Sequence, residues 1–581
     1  MKRTLITFLM ASAVISAVAQ HSLPPIWNDQ PNKVVQYDVR TKAYISPTRI
    51  VWMQNSDLIS NPENLLLPGN GQAELTNEGV IYFKSTEGKR PSILLDFGKE
   101  LQGGIQIVTG MGPMSDIRVR FGESASEAMA NITNESGATN DHAIRDFQMR
   151  LPWLGVAEVG NSGFRFVRID FLGDDMTVPI KEIRAAFTYR DIPYVGSFRS
   201  NDERLNKIWM TGAYTVHLNM QDYIWDGIKR DRLVWIGDLH PEVMTVNSVF
   251  GYNEVIPKSL DLIRDTTPLP VWMNGISSYS LWWLLCHRDW YYYQGDKEYL
   301  AQQKEYMTGL LNHLFTKIGD DGKENLDGNR FLDWPSSPNQ EGIGAGLQGL
   351  MLMTMDAGAE LMTELGDKAM VNKCREKSAL LKKYVPDHNG LKQGAALMAI
   401  SGLADPATMN KDVISVGGSR NFSTFYGYYM LRAMAQAGDY QGAIDRMREY
   451  WGAMLDLGAT TFWEDFNMEW LPAAGIDELV PKGMKDIHGD FGDYCYQKFR
   501  HSLCHGWASG PTSWMSEYIL GVQVLKPGCR EVKITPHLGD LEWVEGTFPT
   551  PYGPIEISHR KLPNGSIDSK IKAPKEVKIV K

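Results

Sequence analysis

Between Trp225 and Asp238 the sequence places three carboxylates (Asp226, Asp231, Asp238), three cations (Lys229, Arg230, Arg232) and two indoles (Trp225, Trp235). Such a mixture is costly to bury, because each charge loses its hydration unless it is paired. Asp226 and Asp231 are five positions apart, out of step with a helical repeat, so an irregular loop must aim the acids if they are to share one cleft. Acids gathered in a cleft do proton chemistry, whereas the same residues on a surface make a structural ion-pair network. Asp238 has a further reading, since an Asp shortly before Pro241-Glu242 can cap the helix that follows.

A second acid stands far down the chain, in Thr460-Thr461-Phe462-Trp463-Glu464-Asp465, after a helix ending near Leu457-Gly458. An acid beside Trp at the mouth of a helix pair suggests a site. By itself, a solvated Glu beside a core Trp would look the same. Asp333 and Trp334 in Phe331-Leu-Asp-Trp-Pro335, Trp272, Trp282 and His505 complete the candidates. Each alone fits packing as well as function.

Other chemistries lack their residues. The 12 histidines include no HExxH spacing, so no metal is expected. The 5 cysteines are odd in number and lack CxxC spacing, which argues against a disulfide framework. Cys504 precedes His505, but adjacent side chains usually point apart, which disfavours a thiol–imidazole pair. Gly344-Ala-Gly346-Leu-Gln-Gly349 spells a dinucleotide fingerprint without a strand before it, so it reads as a loop entering a helix, and no cofactor is expected.

The 59 Lys and Arg against 69 Asp and Glu leave a net charge of −10, which argues against a nucleic-acid partner and favours a neutral one. The 17 Trp, 24 Tyr and 20 Phe suit the faces of sugars as well as they suit a core. An apolar content of 43% and a charged content of 22% are those of globular domains. Lys2-Arg3, the apolar run from Leu5 to Val18 and Ala17-Val18-Ala19 form a cleavable export signal over residues 1–19, too short to span a bilayer, so no membrane association is expected after cleavage.

The elements that must hold the acids fall into three blocks. Alternating segments such as Ser92–Asp96, Gly104–Val108, Ile117–Phe121 and Phe164–Asp170, with turn residues between them, predict an N-terminal β-sandwich over residues 20–195. The polar stretch Asn131–His142 reads as a loop. Ser200-x-x-Glu203 has the form of a capping box, and Leu205, Ile208, Trp209 and Ala213 then repeat at helical spacing.

Further helices are predicted over Pro241–Arg264, Tyr279–Tyr293, Lys297–Phe315, Leu347–Leu365, Asp367–Tyr384, Phe425–Ala437, Tyr440–Leu455 and Pro511–Ile519. Paired amphipathic helices over residues 196–519 are too many for a simple bundle and predict a toroid of stacked hairpins. Residues 520–581 turn strand-like again and predict a small C-terminal β-sandwich module.

Asp226 to Asp238, Thr460-Thr-Phe-Trp-Glu464 and Ser502-Leu-Cys-His505-Gly-Trp507, in this order, resemble the bacterial α-L-rhamnosidases of glycoside hydrolase family 78, as does Phe198-Arg-Ser-Asn-Asp-Glu-Arg-Leu-Asn at the start of the helical block. The resemblance implies an (α/α)6 barrel and inverting hydrolysis of terminal α-L-rhamnosides, with a carbohydrate as the substrate. It implies Asp231 as general acid and Glu464 as general base. Asp226 and Asp238 would hold sugar hydroxyls, and Arg230, Trp235, Asp333, Trp334 and His505 would complete the pocket. The family commonly has Glu where this chain has Asp231, which draws the carboxyl back by one methylene. The alternatives are a barrel hydrolase or lyase for another deoxy- or uronic sugar, and a carbohydrate-binding protein without turnover.

Overall fold

The computed structural model describes residues 23–29 and 37–580; the expected leader at 1–19 lies outside the described residues. Of residues 1–39, the described part holds a 3-10 turn at Pro25–Asp29. Residues from Arg40 onward form one compact unit.

This unit begins with nine strands in one antiparallel hydrogen-bonded system. Ser92–Asp96 and Gly104–Val108, expected as separate strands, belong to a single strand Ser92–Thr109. Register shifts between Asp96 and Leu101 and between Gly103 and Ile105 let it bend without breaking. Its first half pairs with Arg49–Gln54 and its second with Thr177–Tyr189, while Val156–Phe171 follows it along most of its length. Alternate residues such as Ile93, Leu95, Ile105 and Ile107 point into an apolar core of their own.

The helices obey a simple rule of burial. Leu239–Val249, Ser277–Gln294, Gln340–Glu364, Lys392–Ile400, Gly427–Gln436 and Gly510–Trp514 are buried nearly all round. Each packs on the next, and the last returns to the first, closing an inner ring. Helices apolar on one face only, such as Val255–Thr266, Lys304–Phe315, Lys368–Leu381 and Tyr440–Asp456, lie outside it. The toroid expected from pairing is therefore a barrel of inner and outer helices.

Several helix boundaries differ from expectation for local reasons. Asp202, not Ser200, caps Glu203–Asn219, its carboxylate accepting from Arg204 and Leu205 N–H. Pro241–Arg264 divides at Gly251, whose φ of 76° is left-handed, into Leu239–Val249 and Val255–Thr266. Lys297–Phe315 divides at Gln303. The Gly344–Gly349 segment is not a loop: Asn339 caps a helix running from Gln340 to Glu364, so these glycines are helical. They admit the neighbouring helix, since a Cβ at Gly349 would meet the Leu397 backbone at 2.8 Å. Lys392–Ile400, rich in Gly and Ala, carried too little periodicity to be expected.

The C-terminal strands form a four-stranded and a three-stranded sheet. The outermost strand of the former is Ser197–Ser200, which precedes the first barrel helix and pairs with Trp543–Phe548. One apolar core runs from the barrel through Val522, Val544, Phe548 and Ile557 into these sheets. Among the described residues no helix is long and apolar enough to cross a membrane.

Candidate active site

Segments that lead from an outer helix into an inner one bring the polar residues to one end of the barrel. Residues 220–238 join Glu203–Asn219 to Leu239–Val249, and residues 457–509 join Tyr440–Asp456 to the last inner helix. They line an open cavity, about 480 Å³ with the solvent at its mouth included, with Asp226, Arg230, Asp231, Trp235, Asp238, Glu464 and His505. Trp334 stands on its wall, about one-third exposed, edge-on to Phe331 and stacked on Tyr494.

The 226–233 loop is closed by its own backbone. Asp226 N–H donates to Leu233 C=O, and Leu233 N–H returns to the Asp226 carboxylate at 2.9 Å. Asp231 and Arg232 both adopt left-handed φ, 54° and 58°, a conformation costly for non-glycine residues. The tight turn lets Arg230 and Asp231 face the cavity while Arg232 donates to Asn161 of the N-terminal sheet. Asp231 is the least buried acid of the set, its side chain 19% exposed. Its carboxylate accepts from Trp235 Nε1 at 3.2 Å and lies 3.5 Å from Arg230 Nη1 and 3.6 Å from His142 Nε2.

Glu464 is held from several sides. Its amide donates to Ser502 C=O, and its carbonyl accepts from Thr424 Oγ1 at 2.6 Å and from Trp507 Nε1 at 2.9 Å. One carboxylate oxygen accepts from Ser502 N–H at 3.1 Å; the other pairs with Arg230 Nη2. Burial pushes the Glu464 carboxyl up to about 7, outweighing the opposing pull of Arg230. It therefore passes between acid and base near neutrality.

Asp226, Asp238 and Glu464 surround His505, whose Nε2 lies 3.7, 3.9 and 3.5 Å from their carboxylate oxygens. Burial, then the neighbouring Asp231 and Asp238, raises Asp226 well above the usual carboxylate range; burial does the same to Asp238, although Tyr279 donates to it at 2.8 Å. Burial, with Arg230 and His501 nearby, pushes the His505 imidazole far down. Burial thus works against the charged forms on the floor of the cavity, which suits hydroxyl groups better than ions.

Not every expected residue arrives. Asp333 lies behind the wall, and its carboxylate accepts from Ser336 N–H, Gln393 Nε2 and Ser423 Oγ. It anchors the Trp334 segment instead of lining the pocket. Asp238 opens Leu239–Val249 without making a side-chain cap bond. Trp272 and Trp282 pack elsewhere, the latter stacked on Tyr429. Cys504 Sγ faces Thr215 C=O and Asn219, away from the site.

Tyr279 and Tyr496 line the cavity without having been singled out in the sequence. Pocket aromatics are spelled like core aromatics. His142 belongs to the polar loop after the strand Asp116–Gly122, and no local signal tied it to a barrel acid. The described His, Cys, Asp and Glu residues include one group with metal-ligand spacing, Glu123, Glu127 and His488. The Lys229 ammonium already sits among them, 3.0 Å from Glu123, 3.3 Å from Glu127 and 3.4 Å from His488.

Comparison with known proteins adds to this geometry. Residues 193–388 match the family model described as the bacterial alpha-L-rhamnosidase 6 hairpin glycosidase domain, and residues 521–580 match the bacterial alpha-L-rhamnosidase C-terminal domain. An alpha-L-rhamnosidase of Alteromonas sp. (strain LOR) is 26% identical over 87% of this chain and 57% of its own length. The chain spans about half the length of the curated relatives it matches.

In fold, the chain is similar to a GH78 family rhamnosidase of Bacillus sp. GL1, with a TM-score of 0.72 at 22% identity over 89% of this chain and 55% of that one. It is also similar to the rhamnosidase from Klebsiella oxytoca with rhamnose bound, with a TM-score of 0.63 at 17% identity, covering 82% of this chain and 96% of that one. Part of the helical barrel and the C-terminal sheets thus match, in this order, two domain models of the bacterial α-L-rhamnosidases.

Proposed function

We propose that this chain is an exported glycoside hydrolase that removes terminal α-L-rhamnose with inversion at the anomeric carbon. The observation that carries the reading is that Asp231 and Glu464, from separate loops, face one cavity and meet the same guanidinium, that of Arg230. Carboxylates on two nitrogens of one guanidinium stand at most its width plus two contacts apart, which leaves room for the roughly 6.5 to 9.5 Å that inverting glycosidases need for sugar and water. The relatives' names, alpha-L-rhamnosidase in both, support rhamnose as the sugar, and the Lys2-Arg3 and Ala17-Val18-Ala19 signals support export.

In this reading ionised Glu464 takes a proton from a water whose oxygen bonds to the anomeric carbon, while the bond to the aglycone oxygen breaks and that oxygen takes a proton from Asp231. One water is added in all, and the two carboxyls exchange protonation states, to be reset through solvent. Asp226, Asp238 and His505 hold the sugar hydroxyls, Trp235 orients Asp231, and Trp334 covers a face of the ring. Arg230 keeps Glu464 ionised more readily than burial alone would allow.

A panel of aryl glycosides, followed by proton NMR of the first-formed sugar, tests this. Release from the α-L-rhamnoside with β-L-rhamnose appearing first is expected. No release from the rhamnoside, or α-L-rhamnose appearing first, overturns it.

A further inference from the structure

The N-terminal sheet sends one carboxylate into the seam between the two loops that carry the acids. Glu123 follows the strand Asp116–Gly122 and is fully buried. A single oxygen of it, Oε2, accepts from Leu503 N–H at 2.6 Å and pairs with Lys229 Nζ at 3.0 Å. Each partner stands one residue from a group of the site. Leu503 follows Ser502, whose amide holds Glu464, and Lys229 precedes Arg230, whose guanidinium meets both Glu464 and Asp231.

Surrounding contacts fix this arrangement. Lys229 also donates to Phe499 C=O at 2.9 Å and to His501 C=O, which sews residue 229 to the segment that leads to Ser502. Gly163 of the sheet donates to Ile228 C=O at 3.1 Å; a Cβ there would meet the Ile228 side chain at 2.6 Å. Glu127 accepts from Glu123 N–H at 2.8 Å and shares Lys229, so Glu123 itself has little freedom. Burial brings the Lys229 ammonium down to about 8, and the Glu123 carboxylate opposes that fall.

We propose that Glu123 is a positioning residue for hydrolysis: it sets the register between the Lys229–Asp231 turn and the Ser502–Leu503 segment, and so the distance between Glu464 and Asp231. The proposal rests on the two-carboxylate reading above. Glu123 touches no substrate; it acts through the Ser502 amide and through Arg230. A displacement of about 1 Å at reacting groups costs on the order of 100-fold in rate.

Two variants divide the roles of its charge and its reach. Glu123→Gln keeps an acceptor for Leu503 N–H and removes the charge that holds Lys229; Glu123→Ala removes both. With turnover counted per folded molecule, kcat is expected to fall about tenfold in the first and about 100-fold in the second. KM for the aryl rhamnoside should stay within threefold in both, whereas a general loss of structure would move both constants. Wild-type kcat in Glu123→Gln overturns the proposal, and that near-isosteric variant decides even if Glu123→Ala does not fold.

A crystal structure of Glu123→Gln gives a readout independent of activity. The Ser502 amide and the Glu464 carboxylate, 3.1 Å apart in the wild type, are expected to separate or to shift relative to Asp231. Unchanged positions overturn the proposal. Absence of hydrolysis by the wild-type protein would instead overturn the two-carboxylate reading, with the positioning claim still judged by that structure.

Discussion

Arg230 and Glu464 form a buried ion pair inside the cavity, and the same guanidinium stands 3.5 Å from Asp231. One cation thus opposes the burial that raises Glu464 and also reaches the acid on the neighbouring turn. It stands over the ring of Tyr496, 5.4 Å from its centre, so it cannot swing freely into water. In the proposed mechanism, proton transfer depends on where that cation is held.

Replacing the proposed base tests that dependence most directly. Glu464→Gln keeps the size of the side chain, and kcat is expected to fall by about 100-fold or more with KM within a fewfold. Steady-state kinetics on an aryl rhamnoside gives both numbers, and unchanged turnover removes Glu464 from the mechanism.

Asp231→Asn should penalise poor leaving groups far more than activated ones, because a leaving oxygen of low basicity needs little help from an acid. Rates across aryl rhamnosides of graded leaving-group acidity report this as a steeper dependence in the variant. Equal losses across the series would place Asp231 outside the acid role.

The pH profile follows from Glu464. Its carboxyl stands near 7 and must be ionised to act as base, so kcat/KM should fall on the acid side with a midpoint near pH 7. Burial raises that value, and Arg230 is the strongest influence lowering it. Arg230→Gln should therefore move the acid limb to higher pH; a limb that stays in place or moves down would contradict the assigned coupling.

Asp465 predicts a stability effect with a definite sign. Burial lifts its carboxyl from the ordinary 3.8 to about 7, so the folded chain binds this proton more tightly than the unfolded chain does. Its contribution is therefore present at low pH and lost as pH rises from about 4 to about 7. Asp465→Asn retains an acceptor for Phe466 N–H and removes the titration. Relative to wild type, the variant should gain on the order of 1 to 3 kcal/mol between pH 4 and pH 7, read from denaturant unfolding at each pH.

Asp333 supplies the contrast. Its bonds to Ser336, Gln393 and Ser423 are structural, so Asp333→Asn should lower stability by about 1 to 3 kcal/mol through a mismatched amide. Turnover per folded molecule should stay within about threefold. A selective loss of kcat at unchanged Tm would return Asp333 to the site.

The sequence made the cluster at 226–238 legible because so many charges and indoles in so short a stretch have few other uses. It also showed that a loop, not a helix, must aim them, as the left-handed turn at Asp231 and Arg232 does. The inner and outer helices were legible as pairs; the buried ones carry weak periodicity because every face is apolar, which is why Lys392–Ile400 escaped notice. Asp333 beside Trp334 had the look of a pocket acid, and only partners 60 and 90 residues away in the chain reveal its duty. Glu123 and His142 were invisible for the same reason: nothing local links a β-strand neighbour or a polar loop to barrel acids.

The strand Ser197–Ser200 gives the molecule a clasp, since it leaves the N-terminal half, joins the sheet made by the last residues, and only then enters the first helix. Trimming the chain after the final inner helix would strip Trp543–Phe548 from that strand and uncover the apolar residues shared with the barrel. Anyone shortening this protein for expression should treat its tail as part of the ring's entrance, not as an appendage.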